Sequence, residues 1–143
     1  IKTEFGQINK VVEQSRGTII NDSSLGFKKG TVVNGYELHE GITILNDAKP
    51  FIKVEKGNGN DKTGQFDGAI KNNICGTYFH GIFHNFEFRR NFTDQLRINK
   101  GLEPLGITSK DEFKESKRVN YNQLGDLFAN NVDMSFIYNL LGI

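Results

Sequence analysis

One histidine stands where a strand-like stretch meets a turn. The segment from Gly76 to Phe83 delivers His80 at the end of a predicted strand, with Gly81 directly after it and a helix expected to begin near Asn85. The ends of strands are where α/β enzymes place reacting groups. An imidazole, with an unperturbed pKa of roughly 6.5, can take and return a proton near neutral pH. The spacing allows His80 to be a general base, but spacing alone favours a histidine that only forms hydrogen bonds within a loop.

A second polar pair lies on the strand-like stretch from Thr31 to Ile44. Its alternation puts the apolar residues on one parity and Glu37 and His39 on the other. The apolar parity is predicted to face the core, which would leave Glu37 and His39 together on the opposite surface. His39 could then line a site or serve as a hydrogen-bonded structural histidine in a hairpin. The apolar set is Tyr36, Leu38, Ile42 and Ile44.

The single cysteine is poorly placed to be a nucleophile for His80. Cys75 precedes His80 by five residues of extended chain, so their α-carbons would lie roughly 16 Å apart at ~3.3 Å per residue. An odd separation also points the two side chains to opposite faces of a strand. β-forming residues follow Cys75, where a strand-to-helix elbow would need a helix. Cys75 is therefore predicted to be a small, buried apolar residue.

The elements that position these residues are expected to be β-rich at the start and helical at the end. Residues 1–20 have the pattern of paired strands, and residues 56–61 that of a hairpin tip. Phe88, Phe92 and Leu96 recur on one helical face. A capping-box spacing from Ser109 to Glu112 and a cap at Asp133 predict two further helices. No internal repeat or long linker divides the chain.

Composition excludes several function classes. Eighteen basic and seventeen acidic residues give a formal net charge of +1, too little to attract nucleic acid or an anionic membrane. No apolar run approaches the ~20 residues of a membrane helix. One cysteine excludes an internal disulfide and suits a reducing cytosol. Three histidines that share neither a helix face nor a strand face do not predict a metal site. We expect a cytoplasmic protein.

Two histidine motifs resemble those of one enzyme family. The segment Gly35-Tyr36-Glu37-Leu38-His39-Glu40-Gly41 is similar to a signature of the glutaminase domain of cobyric acid synthases. The segments 67–69, 76–83, 88–90 and 121–133 resemble the motifs and C-terminal helices that follow it in that family, in the same order. The resemblance implies the α/β, flavodoxin-like sheet and helices of a class I, triad-type glutaminase. Residues 1–143 would form its C-terminal half, a single partial domain.

The resemblance also implies an activity. In the family, a cysteine on a strand-to-helix elbow attacks the side-chain amide of glutamine, with the motif histidine as its base. Ammonia then passes to an ATP-dependent synthetase domain that amidates corrin carboxylates in cobalamin synthesis. By this resemblance His80 is the catalytic base. The expected rim of the site consists of His39, Glu37, Tyr36, Thr77, Tyr78 and Gly81.

The resemblance places the remaining machinery upstream of this sequence. The chain opens with Ile1, and Met134 is its one methionine, as expected for a piece of a longer protein. The elbow and the N-terminal synthetase domain, with its ATP and magnesium, would precede it, and these residues would bind no cofactor. Glutamine, the synthetase domain and a corrin are the implied partners. The isolated chain is expected to be inactive and, with strands lacking their partners, to self-associate.

Three alternatives share the same residues. They are the related a,c-diamide synthase branch, a cell-wall glutaminase paired with a ligase, and a non-catalytic interaction domain that keeps the fold. One departure from the wider class is Ile82, which stands where many triad glutaminases have a glutamate that orients the histidine. The corrin-amidating branch also lacks that glutamate. Glu87 or a backbone carbonyl could orient His80 instead.

Overall fold

The computed structural model describes residues 1–6, 10–107 and 112–143, with only the backbone of residues 11, 112 and 113. The chain divides into two compact units, Ile1–Ile107 and Thr108–Ile143. The described part of the first unit is β-rich with one α-helix, and that of the second is helical. This mixed α/β architecture, with its β-rich beginning and helical end, confirms the predicted fold class.

The strands of the first unit form two antiparallel sheets. β1 (Lys2–Phe5) pairs with β4 (Gly41–Ile44) in a two-stranded sheet. The larger sheet has six strands in the order β7-β6-β5-β2-β3-β8. Residues 1–20 therefore do form strands, but the prediction that these strands pair with each other is wrong. The larger sheet is built from β2 (Val11–Ile19), β3 (Val32–His39), β5 (Lys49–Lys56), β6 (Phe66–Lys71), β7 (Ile74–Gly76) and β8 (Phe79–His80).

The larger sheet must curl. Its two edge strands, β7 and β8, are joined by Thr77 and Tyr78 alone. Three residue steps reach at most about 11 Å, whereas the edges of a flat six-stranded sheet lie about 24 Å apart at ~4.8 Å per strand. The short connection therefore brings the two edges together. Because β7 pairs with β6, residues of β6 also lie beside the two residues that lead into β8.

Aromatic packing joins this sheet to the first helix, α1 (Phe86–Asn99). The ring of Phe27, in the loop after β2, stacks on Phe88 at a centroid separation of 4.4 Å and meets Phe51 of β5 at 5.3 Å. Phe88 is buried and Phe92 packs against the same cluster, so the predicted helical face is present, although Leu96 is 45% exposed. Burying such rings stabilises a fold by about 1.5–3 kcal/mol each.

The start of α1 is tied to the middle of the sheet. A 3-10 turn, Ile82–His84, precedes the helix, and Asn85 stands at its N-cap. The Asn85 side chain accepts the backbone N–H of Asn34 at 2.9 Å and donates to the carbonyl of Asn34 at 2.7 Å. The predicted helix start near Asn85 is confirmed, and this pair of hydrogen bonds fixes it against β3.

The second unit contains two helices, α2 (Glu112–Asn131) and α3 (Met134–Leu141). The predicted cap of α3 is present, because the Asp133 carboxylate accepts the N–H of Phe136 at 3.0 Å. Gly142 ends this helix in the left-handed region, with φ of 71°. Ser109, the first residue of the predicted capping box, lies outside the described residues. Within the described ranges, no helix has the length and apolar character needed to cross a bilayer.

Candidate active site

The backbone register places His80 on the outer face of the curled sheet. β8 pairs with β3 through Tyr36 opposite His80 and Glu37 opposite Phe79. Residues directly opposite in an antiparallel pair point to the same side. Tyr36 is 50% exposed and His80 is exposed, whereas Glu37 and Phe79 are buried. The imidazole therefore faces away from the core, at the last residue of a two-residue strand.

Two glycines make this arrangement sterically feasible. A Cβ on Gly35 would come within 2.9 Å of the His80 carbonyl oxygen and 3.0 Å of the Phe79 Cβ, so only a glycine allows β8 to lie this close to β3. Gly81 has φ of 75°, a left-handed conformation that suits glycine, and it turns the chain from β8 into the 3-10 turn. Sequence reasoning placed Gly81 at the rim and gave Gly35 no role of its own.

His80 opens into a cleft of about 650 Å³ on this outer face. A row of side chains crosses the strands there, because Gln14 lies opposite Tyr36 and Tyr36 lies opposite His80. The Gln14 amide donates to the Tyr36 hydroxyl at 2.9 Å. The rest of the lining is polar or basic around the two glycines: Ser15, Arg16, Asn34, Gly35, Lys56, Gly81, His84 and Asn85.

Glu37 and His39 face inward, so their predicted exposure is wrong. Glu37 is 0% and His39 5% exposed, whereas Tyr36 and Leu38 of the apolar parity are 50% and 40% exposed. The reason is a non-local partner for the carboxylate. Glu37 accepts the backbone N–H groups of Asn58 at 2.8 Å and Gly59 at 2.9 Å. A glycine-rich hairpin tip thus satisfies a buried charge that hydropathy alone would place outside.

The rim predicted from the sequence is therefore divided between two faces. Tyr36 and Gly81 share the cleft with His80, while His39 lies on the inner side of β3. The His39 ring meets the Tyr78 ring edge-on at a centroid distance of 5.4 Å. Among the described residues neither ring nitrogen of His39 has a hydrogen-bond partner. Burial lowers the pKa of His39, against smaller opposing effects of the Glu37 charge and the nearby Gly41 backbone.

Asp67, within the segment 67–69 that resembles a family motif, contacts the chain leading to His80. It is 1% exposed, and its carboxylate accepts the Thr77 hydroxyl and the backbone N–H of Tyr78. Burial raises the pKa of Asp67 to about 6, with its hydrogen bonds opposing and the Glu37 charge adding to the shift. Thr77 and Tyr78, both predicted rim residues, thus support the strand end from behind the cleft. In the sequence, the signal that could have pointed to this contact was an aspartate directly before a glycine, Asp67-Gly68.

Cys75 lies on the other edge of the sheet from His80. It pairs with Ile70 in the β6–β7 ladder and packs against the hydrophobic core. Burial raises the pKa of its thiol to about 12, and the nearby Asp67 charge adds to this. A thiol must ionise to be a strong nucleophile. Cys75 packs against the core as predicted, but it is only partly buried.

Ile82, which stands where many triad glutaminases have a glutamate, is 6% exposed and belongs to the core. Glu87, one candidate orienting group, is close instead to Thr31, whose hydroxyl donates to it at 3.4 Å. Across the described ranges, no group of three or more metal-ligating side chains comes together.

Similar proteins identify the family of this chain. Residues 1–88, which include both histidine motifs, match the family model of the CobB/CobQ-like glutamine amidotransferase domain. A "Probable cobyric acid synthase" of Methanosphaera stadtmanae is 78% identical over 97% of this chain. Proteins with the same name from Methanothermobacter thermautotrophicus and Methanocaldococcus jannaschii are 45% and 42% identical over 98% and 99% of it.

The match covers more than half of the chain, and the chain belongs to the CobB/CobQ-like glutamine amidotransferase domain family. It spans only 28% of the Methanosphaera relative and 27% of the Methanocaldococcus relative. The matched region, residues 1–88, ends just after α1 begins, so α2 and α3 lie beyond it.

Proposed function

We propose that this domain forms part of the glutaminase of a cobyric acid synthase, with His80 as the general base. The observation that carries the proposal is the placement of His80. It is exposed on the outer face, anchored to β3 by the register with Tyr36, and open to a cleft of about 650 Å³. The names of the relatives favour this branch over the a,c-diamide synthase, the cell-wall glutaminase and the interaction domain.

The nucleophile is a cysteine supplied by polypeptide other than these residues. Cys75 is the single cysteine of the sequence, and partial burial raises the pKa of its thiol to about 12. In the proposed reaction His80 takes the proton of the incoming thiol, and the thiolate attacks the amide carbon of glutamine. The imidazolium then protonates the departing ammonia. Water, deprotonated by His80, hydrolyses the resulting thioester to glutamate.

Ammonia formed in this way would serve a synthetase domain of the same longer protein. Corrin carboxylates are the proposed acceptors, and ATP and magnesium would bind in that domain. The proposal includes a cytoplasmic location and an inactive isolated chain. Measurable glutamine hydrolysis by the purified 143-residue chain would contradict the assignment of the nucleophile to other polypeptide.

The decisive experiment replaces His80 in the full-length parent protein. His80→Ala is expected to lower glutamine-dependent amidation by ~10²–10⁴-fold, the usual contribution of a general acid–base. Amidation supplied with free ammonia should be unchanged, because it needs no thiol activation. The matched variant is His84→Ala, which changes a histidine in the same cleft and should keep most glutamine-dependent activity. Loss of both activities in His80→Ala would show a structural role instead.

A further inference from the structure

The connection between the two sheet edges is held by a buried carboxylate. Asp67, on β6, is 1% exposed and accepts three hydrogen bonds from two residues. The Thr77 hydroxyl donates to Oδ2, and the Tyr78 N–H is shared between Oδ1 at 3.3 Å and Oδ2 at 3.2 Å. Thr77 and Tyr78 are the two residues between β7 and β8, so one side chain fixes the whole connection.

The same network continues to the residue before His80. The Thr77 oxygen, while its hydroxyl hydrogen points to Asp67, accepts the backbone N–H of Phe79 at 3.0 Å. The N–H of His80 in turn donates to the carbonyl of Tyr78 at 3.0 Å. Each backbone N–H from Tyr78 to His80 is therefore engaged. We call the carboxylate of Asp67, the hydroxyl of Thr77 and the N–H groups of Tyr78 and Phe79 the aspartate clasp.

β8 depends on this clasp more than a longer strand would. Its ladder with β3 consists of two residue pairs, Tyr36 with His80 and Glu37 with Phe79. Two pairs are a weak constraint on direction, and the Gly35 contact defines only how closely the strands approach. The clasp acts from β6, the neighbour of the opposite edge strand β7. It determines where the chain enters β8 and, through the Phe79 backbone, where the His80 side chain starts.

A buried carboxylate is a costly way to hold a turn. In the described part of the chain no basic side chain forms an ion pair with Asp67, and the nearby Glu37 has the same charge. Desolvating an unpaired charge is unfavourable unless its hydrogen bonds are complete. Charge-assisted bonds are in return shorter and stronger than neutral ones. Buried groups with strongly shifted pKa values, such as Asp67, cluster at functional sites.

We propose that Asp67 is a positioning residue for His80, acting through Thr77. This inference rests on the proposed role of His80 as the general base. Asp67 contacts no reacting atom. It fixes the position of β8 so that the imidazole of His80 meets the incoming thiol. Misplacing a catalytic group by about 1 Å can cost ~10²-fold in rate, so the expected effect lies in kcat rather than in glutamine binding.

The test uses four variants of the full-length protein: Asp67→Asn, Thr77→Val, Thr77→Ser and Asp94→Asn. The first two should lower kcat with glutamine by ~10- to 100-fold, with KM for glutamine and the ammonia-dependent rate unchanged. Thr77→Ser keeps the hydroxyl and should restore most of the rate. Asp94 is the matched control, since it is also buried and accepts two N–H groups, from Leu105 and Gly106, each at 2.9 Å.

Each outcome decides between a positioning role and a structural one. Wild-type kcat in Asp67→Asn and Thr77→Val would overturn the proposal. It would also be overturned if both variants lost ammonia-dependent activity to the same extent as glutamine-dependent activity. If Asp67→Asn does not fold, the two Thr77 variants decide, because Thr77→Val replaces the hydroxyl by a methyl group whereas Thr77→Ser keeps the hydroxyl and removes a methyl group. Failure of the proposed function can be distinguished from failure of the positioning role. If the proposed function is wrong, His80→Ala keeps glutamine-dependent activity, whatever the activities of the Asp67 and Thr77 variants.

Discussion

Tyr36 and Glu37 are neighbours in sequence, but their side chains lie on opposite sides of β3. The outer side presents Tyr36 beside His80, and the inner side buries Glu37 and His39. Cys75 packs against the core on the opposite edge of the sheet. At the scale of residues, the sheet itself therefore separates the group proposed to react from the two polar groups that the sequence placed beside it.

The thiol of Cys75 should be unreactive. Burial raises the pKa of its thiol to about 12, so the reactive thiolate is scarce at neutral pH. We expect Cys75→Ala in the full-length protein to keep glutamine-dependent activity within about twofold. In the purified chain the thiol should react with a disulfide reagent far more slowly than in the urea-unfolded chain. Complete inactivation of Cys75→Ala would identify it as the nucleophile.

His39 should make the domain sensitive to acid. Its folded-state pKa lies below the usual value because the ring is buried. The unfolded chain then binds the proton more readily, so this residue destabilises the folded state as pH falls below the unfolded pKa, roughly 6.5. The Glu37 charge opposes the effect. Urea unfolding at about pH 7.5 and about pH 5.5 should show a smaller loss on acidification for His39→Leu than for the wild type.

The comparison for His39 is the difference between the two proteins, since other groups that titrate in this pH range affect both equally. Asp67, whose pKa burial raises to about 6, is one such group. An equal loss of stability in wild type and His39→Leu would mean that the imidazole gains a partner when protonated.

At the scale of elements, close approach of β8 to β3 depends on Gly35. We expect Gly35→Ala to displace β8, because the added Cβ would lie 2.9 Å from the His80 carbonyl oxygen. Glutamine-dependent activity of the full-length protein should fall by ~10-fold or more. Gly76→Ala is the matched control in β7, since a Cβ there meets nothing within 4 Å. Equal activity in the two variants would show that β8 tolerates the shift.

Local signals predicted these elements well, and non-local contacts did not follow from them. The helix start at Asn85 and the cap at Asp133 depend on residues within a few positions, which a sequence displays directly. The inward face of β3 depends instead on Glu37 meeting the N–H groups of Asn58 and Gly59, some twenty residues on. Side-chain polarity says nothing about such a partner, so the alternation gave the wrong face.

The candidate site shows the same division. His80 at a strand end was predictable from its own segment. The pairing of β1 with β4 joins segments that are distant in sequence, and the contact of Asp67 with Thr77 depends on the register between β6 and β7. The sequence displays neither of these pairings. The role of His80 was predicted from the resemblance of the motifs. The grouping of Tyr36 with His80 and of His39 with Tyr78 became visible only in the structure.

At the scale of the whole molecule, the first unit should be able to fold without the second. The buried hydrophobic residues of the described chain, from Ile19 to Phe88, all lie within Ile1–Ile107. We expect a chain ending at Ile107 to keep its β-sheet circular dichroism and to unfold cooperatively with heat. A broad, non-cooperative transition would show that residues 108–143 contribute to its stability.

Self-association of the 143-residue chain stays a prediction. Val12 and Leu38 lie opposite each other on the outer face and are 64% and 40% exposed. The described helices of the second unit also carry large exposed apolar side chains, such as Leu127 and Leu140. Such surface favours association. Light scattering across a concentration series should show a mass that rises with concentration, and a constant monomer mass would contradict it.

The brevity of β8 has a consequence for how the protein tolerates change. Phe79, 1% exposed, anchors the interior, and the very next residue carries the proposed chemistry. No flexible segment separates these two residues. Substitutions in the interior near Phe79 would therefore lower the rate of the proposed reaction before they lower the stability of the fold. Selection for turnover alone would then be enough to keep that part of the interior from changing.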